Sequence, residues 1–113
     1  MMTMATLEDF EKIDIRAGVV TEIIPFTGGK YSTHILRIDF GQELGVKKSL
    51  ARLAPNYDGP ELINRQVLCV VNFPPRQIGE HQSEALTLGV PGDEGSVVLI
   101  RPDRRVPLGG RLY

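Results

Sequence analysis

The sequence predicts an all-β chain closed into a five-stranded barrel. Three observations point there: short segments of alternating apolar and polar residues, Gly- and Pro-rich turns that separate them, and one helical turn between the third and fourth segments.

Thr6 ahead of Leu7, Glu8, Asp9 and Phe10 is a capping residue followed by early acids, the start of a short helix. From Ile13 to Ile23 the period drops to two: Ile13, Ile15, Ala17, Val19 and Ile23 alternate with Asp14, Arg16, Gly18 and Glu22. Gly18, in the middle of this first strand, predicts a bulge or a sharp coil of the kind that lets a small barrel close. Pro25 to Ser32, with Gly28-Gly29, reads as a loop. His34 to Phe40 and Val46 to Leu53 are the second and third strands, a hairpin through the tight Gly41–Gly45 connection. Pro60 to Ile63 is the helical turn, with proline at its first position. Val67 to Val71 is apolar on both faces, which marks a central buried strand, and Pro74-Pro75 stops it. Glu84 to Val90 and Val97 to Arg101 are further strands, parted by a turn at Pro91–Gly95, and a turn-rich tail ends in Leu112 and Tyr113. Strands in this order, with a short helix at the N-terminus and another between strands three and four, match an OB-fold barrel. A β-sandwich is the alternative; the helix placement and Gly18 favour the barrel.

With 113 residues there is room for one domain, spanning 1–113. A chain of this length buries about 65% of the surface it exposes unfolded, and self-association is a common way of covering more. The net charge of −1 argues against bulk affinity for nucleic acid. Acids dominate from Glu8 to Glu22, whereas Arg101, Arg104, Arg105 and Arg111 dominate the tail. Complementary surfaces for self-association and ordinary solvated charge both account for that asymmetry. The single cysteine, Cys69, excludes an internal disulfide, and the first residues lack the features of a secretory signal. No apolar run approaches the ~20 residues that span a bilayer. A cytoplasmic protein without membrane insertion is expected.

Nothing in the residues suggests catalysis. Cys69, Ser49 and Ser83 are the candidate nucleophiles, and Cys69 sits inside the buried strand, where a thiol serves as a small hydrophobe. His34 and His81 are scattered and read as surface residues; no spacing suggests a metal, and no cofactor is implied. Gly28-Gly29-Lys30 lacks the flanking glycine, hydroxyl residue and helix of a phosphate loop.

The stretch from Asn72 to Leu88 differs in kind. Asn72 offers a donor and an acceptor at the end of a strand, Phe73 beside Pro74-Pro75 makes a stiff apolar shelf, and Arg76 adds a planar charge. Ser83 and Glu84 then open the next strand. A proline-stiffened loop with a solvated arginine accounts for these residues equally well. Lys47, Lys48, Arg52, Arg65 and Arg76 supply cations; with Val46 and Leu50 turned inward, Lys47, Ser49 and Ala51 face out along a groove suited to single-stranded nucleic acid or an acidic peptide. Only Tyr57 and Phe73 are nearby aromatics, which counts against stacking several bases.

Taken in order, the motifs resemble a known family. Asp9-Phe10-Glu11-Lys12-Ile13-Asp14-Ile15-Arg16-Ala17-Gly18 is similar to the opening of the tRNA-binding OB domains, which include the appended domains of methionyl- and tyrosyl-tRNA synthetases. Gly45-Val46-Lys47-Lys48-Ser49, Leu62–Val67, Val70-Val71-Asn72-Phe73-Pro74-Pro75-Arg76 and Ser83-Glu84-Ala85-Leu86 resemble the stand-alone, export-related chaperones of CsaA type. The resemblance implies a homodimeric chaperone of unfolded or export-bound polypeptide (preprotein), with tRNA binding as the alternative. It places the ligand at Lys47, Ser49, Arg52, Asn72, Phe73, Arg76, Ser83, Glu84 and Leu86. It places the dimer interface at Leu7, Phe10, Val106, Leu108, Leu112 and Tyr113, for which capping of the barrel ends within one chain is the alternative. The chain departs from the CsaA pattern at Gln77, Glu80, His81 and Gln82; two lost cations and one gained anion there favour peptide over tRNA.

Overall fold

The structure, a computed structural model, describes residues 2–113. Its helix α1 (Leu7–Glu11) starts with a full capping box: the Thr6 hydroxyl accepts from the Asp9 amide at 3.1 Å, and the Asp9 carboxylate accepts from the Thr6 amide at 3.0 Å. The strands are β1 (Ile15–Pro25), β2 (His34–Asp39), β3 (Val46–Ala51), β4 (Gln66–Val70), β5 (Arg76–Ile78), β6 (His81–Ser83), β7 (Leu86–Thr87), β8 (Gly89–Pro91) and β9 (Val97–Leu99). Five of them form one antiparallel sheet in the order β3-β2-β1-β4-β7. A 3-10 turn at Pro60–Leu62 lies between β3 and β4, where the sequence places it.

The sheet curls until β3 meets the segment 83–87, and side chains make the seam. The Glu84 amide donates to the Lys48 carbonyl at 2.7 Å, while the Glu84 carboxylate accepts from the Lys48 amide at 2.9 Å. The Ser83 hydroxyl accepts from the Leu50 amide at 3.1 Å. An edge strand is thereby satisfied without a continuous ladder, and the five strands form a nearly closed, OB-like barrel. Its interior is packed by Val20, Leu36, Ile38, Phe40, Leu53, Leu62, Val67 and Cys69.

Gly18 acts differently from the sequence expectation. It sits in unbroken register opposite Val67, and the register shift lies further on, between Val20 and Glu22. A Cβ at Gly18 would stand 2.6 Å from a methyl of Ile38 and 2.8 Å from the Phe40 ring, so its lack of a side chain makes room for the core.

The facing of β3 is also corrected. Directly paired residues share a face, and the ladder sets Ser49 opposite Leu36 and Lys47 opposite Ile38, both partners interior. Ser49 is therefore fully buried and Val46 is 53% exposed, the reverse of the expectation for these two, while Leu50 is buried as expected. His34 is buried as well, with its Nδ1 2.8 Å from the Thr33 hydroxyl, where the sequence suggested a surface residue. The expected strand Glu84–Val90 is broken at Leu88 into β7 and β8, and β8 pairs with β9 in a separate hairpin.

The tail folds back along β1. The Ala17 amide donates to the Gly110 carbonyl, the Gly109 amide to the Ala17 carbonyl and the Leu112 amide to the Ile15 carbonyl, at 2.8–2.9 Å. Arg111 reaches Asp14 at 3.5 Å, and Asp14 also holds Arg16 at 2.6 Å, so part of the acid–base asymmetry is spent within the chain.

Candidate functional site

A cleft of about 570 Å³ opens beside the seam. One wall is the loop Gly28–Ser32 between β1 and β2; the other is the β5–β6 hairpin, and Phe73, Pro74 and the segment Ser83–Leu86 complete it. The hairpin turns in two residues because Gly79 takes a φ of +60°, a left-handed value that favours glycine. Phe26, just ahead of the loop wall, lies close to Gly28, Gly29 and Gly79, where an added Cβ would meet its ring at 2.9–3.5 Å.

Of the residues singled out in the sequence, Phe73, Arg76, Ser83, Glu84 and Leu86 are brought together here. Phe73 and Leu86 are 46% and 45% exposed, so the cleft offers apolar surface to a ligand. Lys30 and Arg76 set two cations against Glu84. Lys30 lies 5.3 Å from the centre of the Tyr31 ring, which is itself 68% exposed. The remaining sequence candidates lie elsewhere. Ser49 is sealed in the barrel, where its hydroxyl meets that of Thr87 at 2.7 Å, and it has no surface for a ligand. Lys47 and Arg52 do not line the cleft. Asn72 holds the N-terminal segment: its Oδ1 accepts from the Asp14 amide at 2.9 Å and its Nδ2 donates to the Lys12 carbonyl at 2.8 Å.

Sequence reasoning missed the hairpin and the opposite wall. The two-residue Gly79-Glu80 connection between two triplets was the available signal for the first. Lys30 and Tyr31 carried none, because only the tertiary fold brings their loop to Ile78.

The residues placed at the dimer interface divide into two groups. Val106, Leu108 and Leu112 are half-buried within the chain, and Gln66 clamps the Val106 backbone by bonds of 2.7 and 3.0 Å. Leu7, Phe10 and Tyr113 keep much or all of their surface open. Cys69 is fully buried, and burial pushes its thiol up to about 12 despite a contact with the Thr87 hydroxyl. Among the described residues no three His, Cys, Asp or Glu side chains group as metal ligands, and no helix is long and apolar enough to cross a membrane.

The barrel with a lateral cleft defines a binding module, and comparison with known proteins gives its family. Residues 15–111 match the family described as "putative tRNA binding domain", and the chain belongs to it. Within that family it is similar to CsaA-type proteins. The chaperone CsaA from Bacillus anthracis str. Ames superposes with a TM-score of 0.91 at 40% identity, over 98% of this chain and 100% of that one. The CsaA chaperone protein from Picrophilus torridus gives 0.89 at 42% identity, over 97% and 100%. The methionine–tRNA ligase of Pyrococcus horikoshii is 31% identical over 98% of this chain, which spans only 15% of that ligase's length.

Proposed function

We propose that this chain is a homodimeric, cytoplasmic chaperone of CsaA type, a single non-catalytic domain that takes unfolded or export-bound polypeptide into the cleft beside Phe73. The observation that carries this reading is the cleft itself. Its exposed apolar surface at Phe73 and Leu86 suits side chains of an extended segment, and its mixed charges at Lys30, Arg76 and Glu84 do not select a polyanion. The likeness to two CsaA chaperones over their whole length supports it. The open faces of Leu7, Phe10 and Tyr113 are the proposed surface for the second copy.

Binding of tRNA is the second reading, favoured by a basic patch away from this cleft. Arg65 and Arg101 line a separate hollow of about 220 Å³ with Tyr57 and Leu62. Arg105 donates to the Asn64 carbonyl at 3.0 Å and so stands beside Arg65, and none of these three arginines meets a carboxylate within 4.0 Å among the described residues.

Fluorescence anisotropy of labelled, reduced and carboxymethylated α-lactalbumin tests the first reading. Phe73→Ala weakens its binding while light scattering reports an unchanged oligomer; unchanged affinity sinks the cleft assignment. For the second reading, tRNA affinity falls steeply with salt and is lost in Arg65→Ala/Arg101→Ala. A response that survives that double substitution removes the patch.

A further inference from the structure

Beside the cleft, one histidine links the hairpin wall to the barrel and to Phe26. His81, the first residue of β6, presents its Nδ1 to the Lys48 ammonium of β3 at 3.2 Å. Its ring also packs edge-on against Phe26, with centroids 5.5 Å apart and planes at 89°. Phe26 directly follows β1 and leads into the loop that forms the opposite wall. The β5–β6 hairpin has no ladder to the barrel; its base is fixed by Ser83 and Glu84, and nearer its tip His81 meets Lys48 while Gly79 lies against Phe26.

Lysine has only donors, so Nδ1 must be the acceptor and the imidazole must be neutral, with its hydrogen on Nε2. A proton on Nδ1 would remove that bond and set a second cation against Lys48. Other charged groups lie around the ring. Glu22 of β1 and Arg37 of β2 line the gap of about 80 Å³ beneath it, and they are paired with each other at 3.4 Å. On the hairpin side, Glu80 precedes His81 at the exposed tip, Arg76 lies at the far end opposite Ser83, and the Glu84 carboxylate is engaged by the Lys48 amide.

We propose that His81 is a positioning residue that latches the hairpin to the barrel, and that its protonation releases the latch and opens the cleft. The consequence for ligands rests on the cleft being the polypeptide site; the latch itself does not.

Nuclear magnetic resonance of the ligand-free full chain, titrated from about pH 7.5 to about pH 5.5, reads the latch directly. In the unsubstituted protein the amides of Ile78 and Gly79 move together with the His81 ring, and contacts between the His81 and Phe26 rings disappear. His81→Gln keeps an acceptor for Lys48 but cannot titrate, so its hairpin amides stay in place. Lys48→Met removes the bond itself together with the opposing cation, so its hairpin amides sit near the released position at both ends of the range. Hairpin amides that do not move in the unsubstituted protein, or that move equally in His81→Gln, overturn the proposal. In a second arm, affinity for labelled carboxymethylated α-lactalbumin falls about tenfold over the same range, the worth of one hydrogen bond to a charged group, and stays flat in His81→Gln. A probe that never binds overturns the polypeptide reading, while the ligand-free spectra still judge the latch.

Discussion

The Ser49 hydroxyl lies 2.7 Å from the Thr87 hydroxyl, inside the barrel at the point where the first and last strands of the sheet meet. Thr87 also receives the Cys69 thiol at 3.6 Å, so one polar chain links β3, β7 and β4 in an otherwise apolar core. Such a chain fixes the closure register, because a slip would strand buried hydroxyls.

Ser49→Ala leaves the Thr87 hydroxyl short of a buried partner. We expect a loss of about 1–3 kcal/mol in urea unfolding, and a smaller loss in Ser49→Ala/Thr87→Val, where both polar groups are gone. A double variant less stable than the sum of the singles contradicts the pairing.

Gly18→Ala places a methyl against Ile38 and Phe40 at distances of 2.6–2.8 Å. Overpacking of this kind costs about 1–3 kcal/mol. Trimming the neighbour in Gly18→Ala/Phe40→Leu recovers part of the loss in thermal unfolding; a neutral Gly18→Ala refutes the close approach.

Cys69 keeps its proton far longer when folded, up to about 12. Since an unfolded thiol ionises near about pH 8.5, the folded chain holds the extra proton between these values. Stability from this group is complete below about pH 8.5 and is lost as pH rises toward the folded value, by about 1.4 kcal/mol per unit. The difference between denaturation series of the unsubstituted protein and Cys69→Val isolates the effect. At mildly alkaline pH the native thiol stays inert to a thiol reagent until denaturant is added, and rapid native reaction would exclude both its burial and its raised ionisation.

Asn72→Ala removes both bonds that tie Lys12 and Asp14 to the end of β4. About 1 kcal/mol per bond is at stake. Hydrogen exchange rises over residues 7–14 while the barrel amides keep their protection. Unaltered protection of that segment rejects Asn72 as its anchor.

Much of the barrel was legible because its signals are local. The alternation of Ile13 to Ile23, the doubly apolar Val67–Val71 run, the Gly41–Gly45 turn and the Thr6 cap each act over a few residues, and each element forms within a few residues of its expected place. The facing of β3 was not legible. Val46-Lys47-Lys48-Ser49-Leu50 carries no decisive alternation, and only pairing with Leu36 and Ile38 turns Ser49 inward.

The Asn72–Leu88 stretch shows the same division. From the sequence came its proline-stiffened shelf, the exposed Phe73 and the family motifs that give the chain its class. Tertiary structure alone decided that Asn72 braces a segment 60 residues away, that Glu84 completes the edge of β3 and that His81 touches Lys48 and Phe26. Periodicity and turn chemistry depend on neighbours in the chain. A cleft depends on closure of the sheet, which joins residues 33–36 positions apart and assigns each side chain a role that its own segment does not specify.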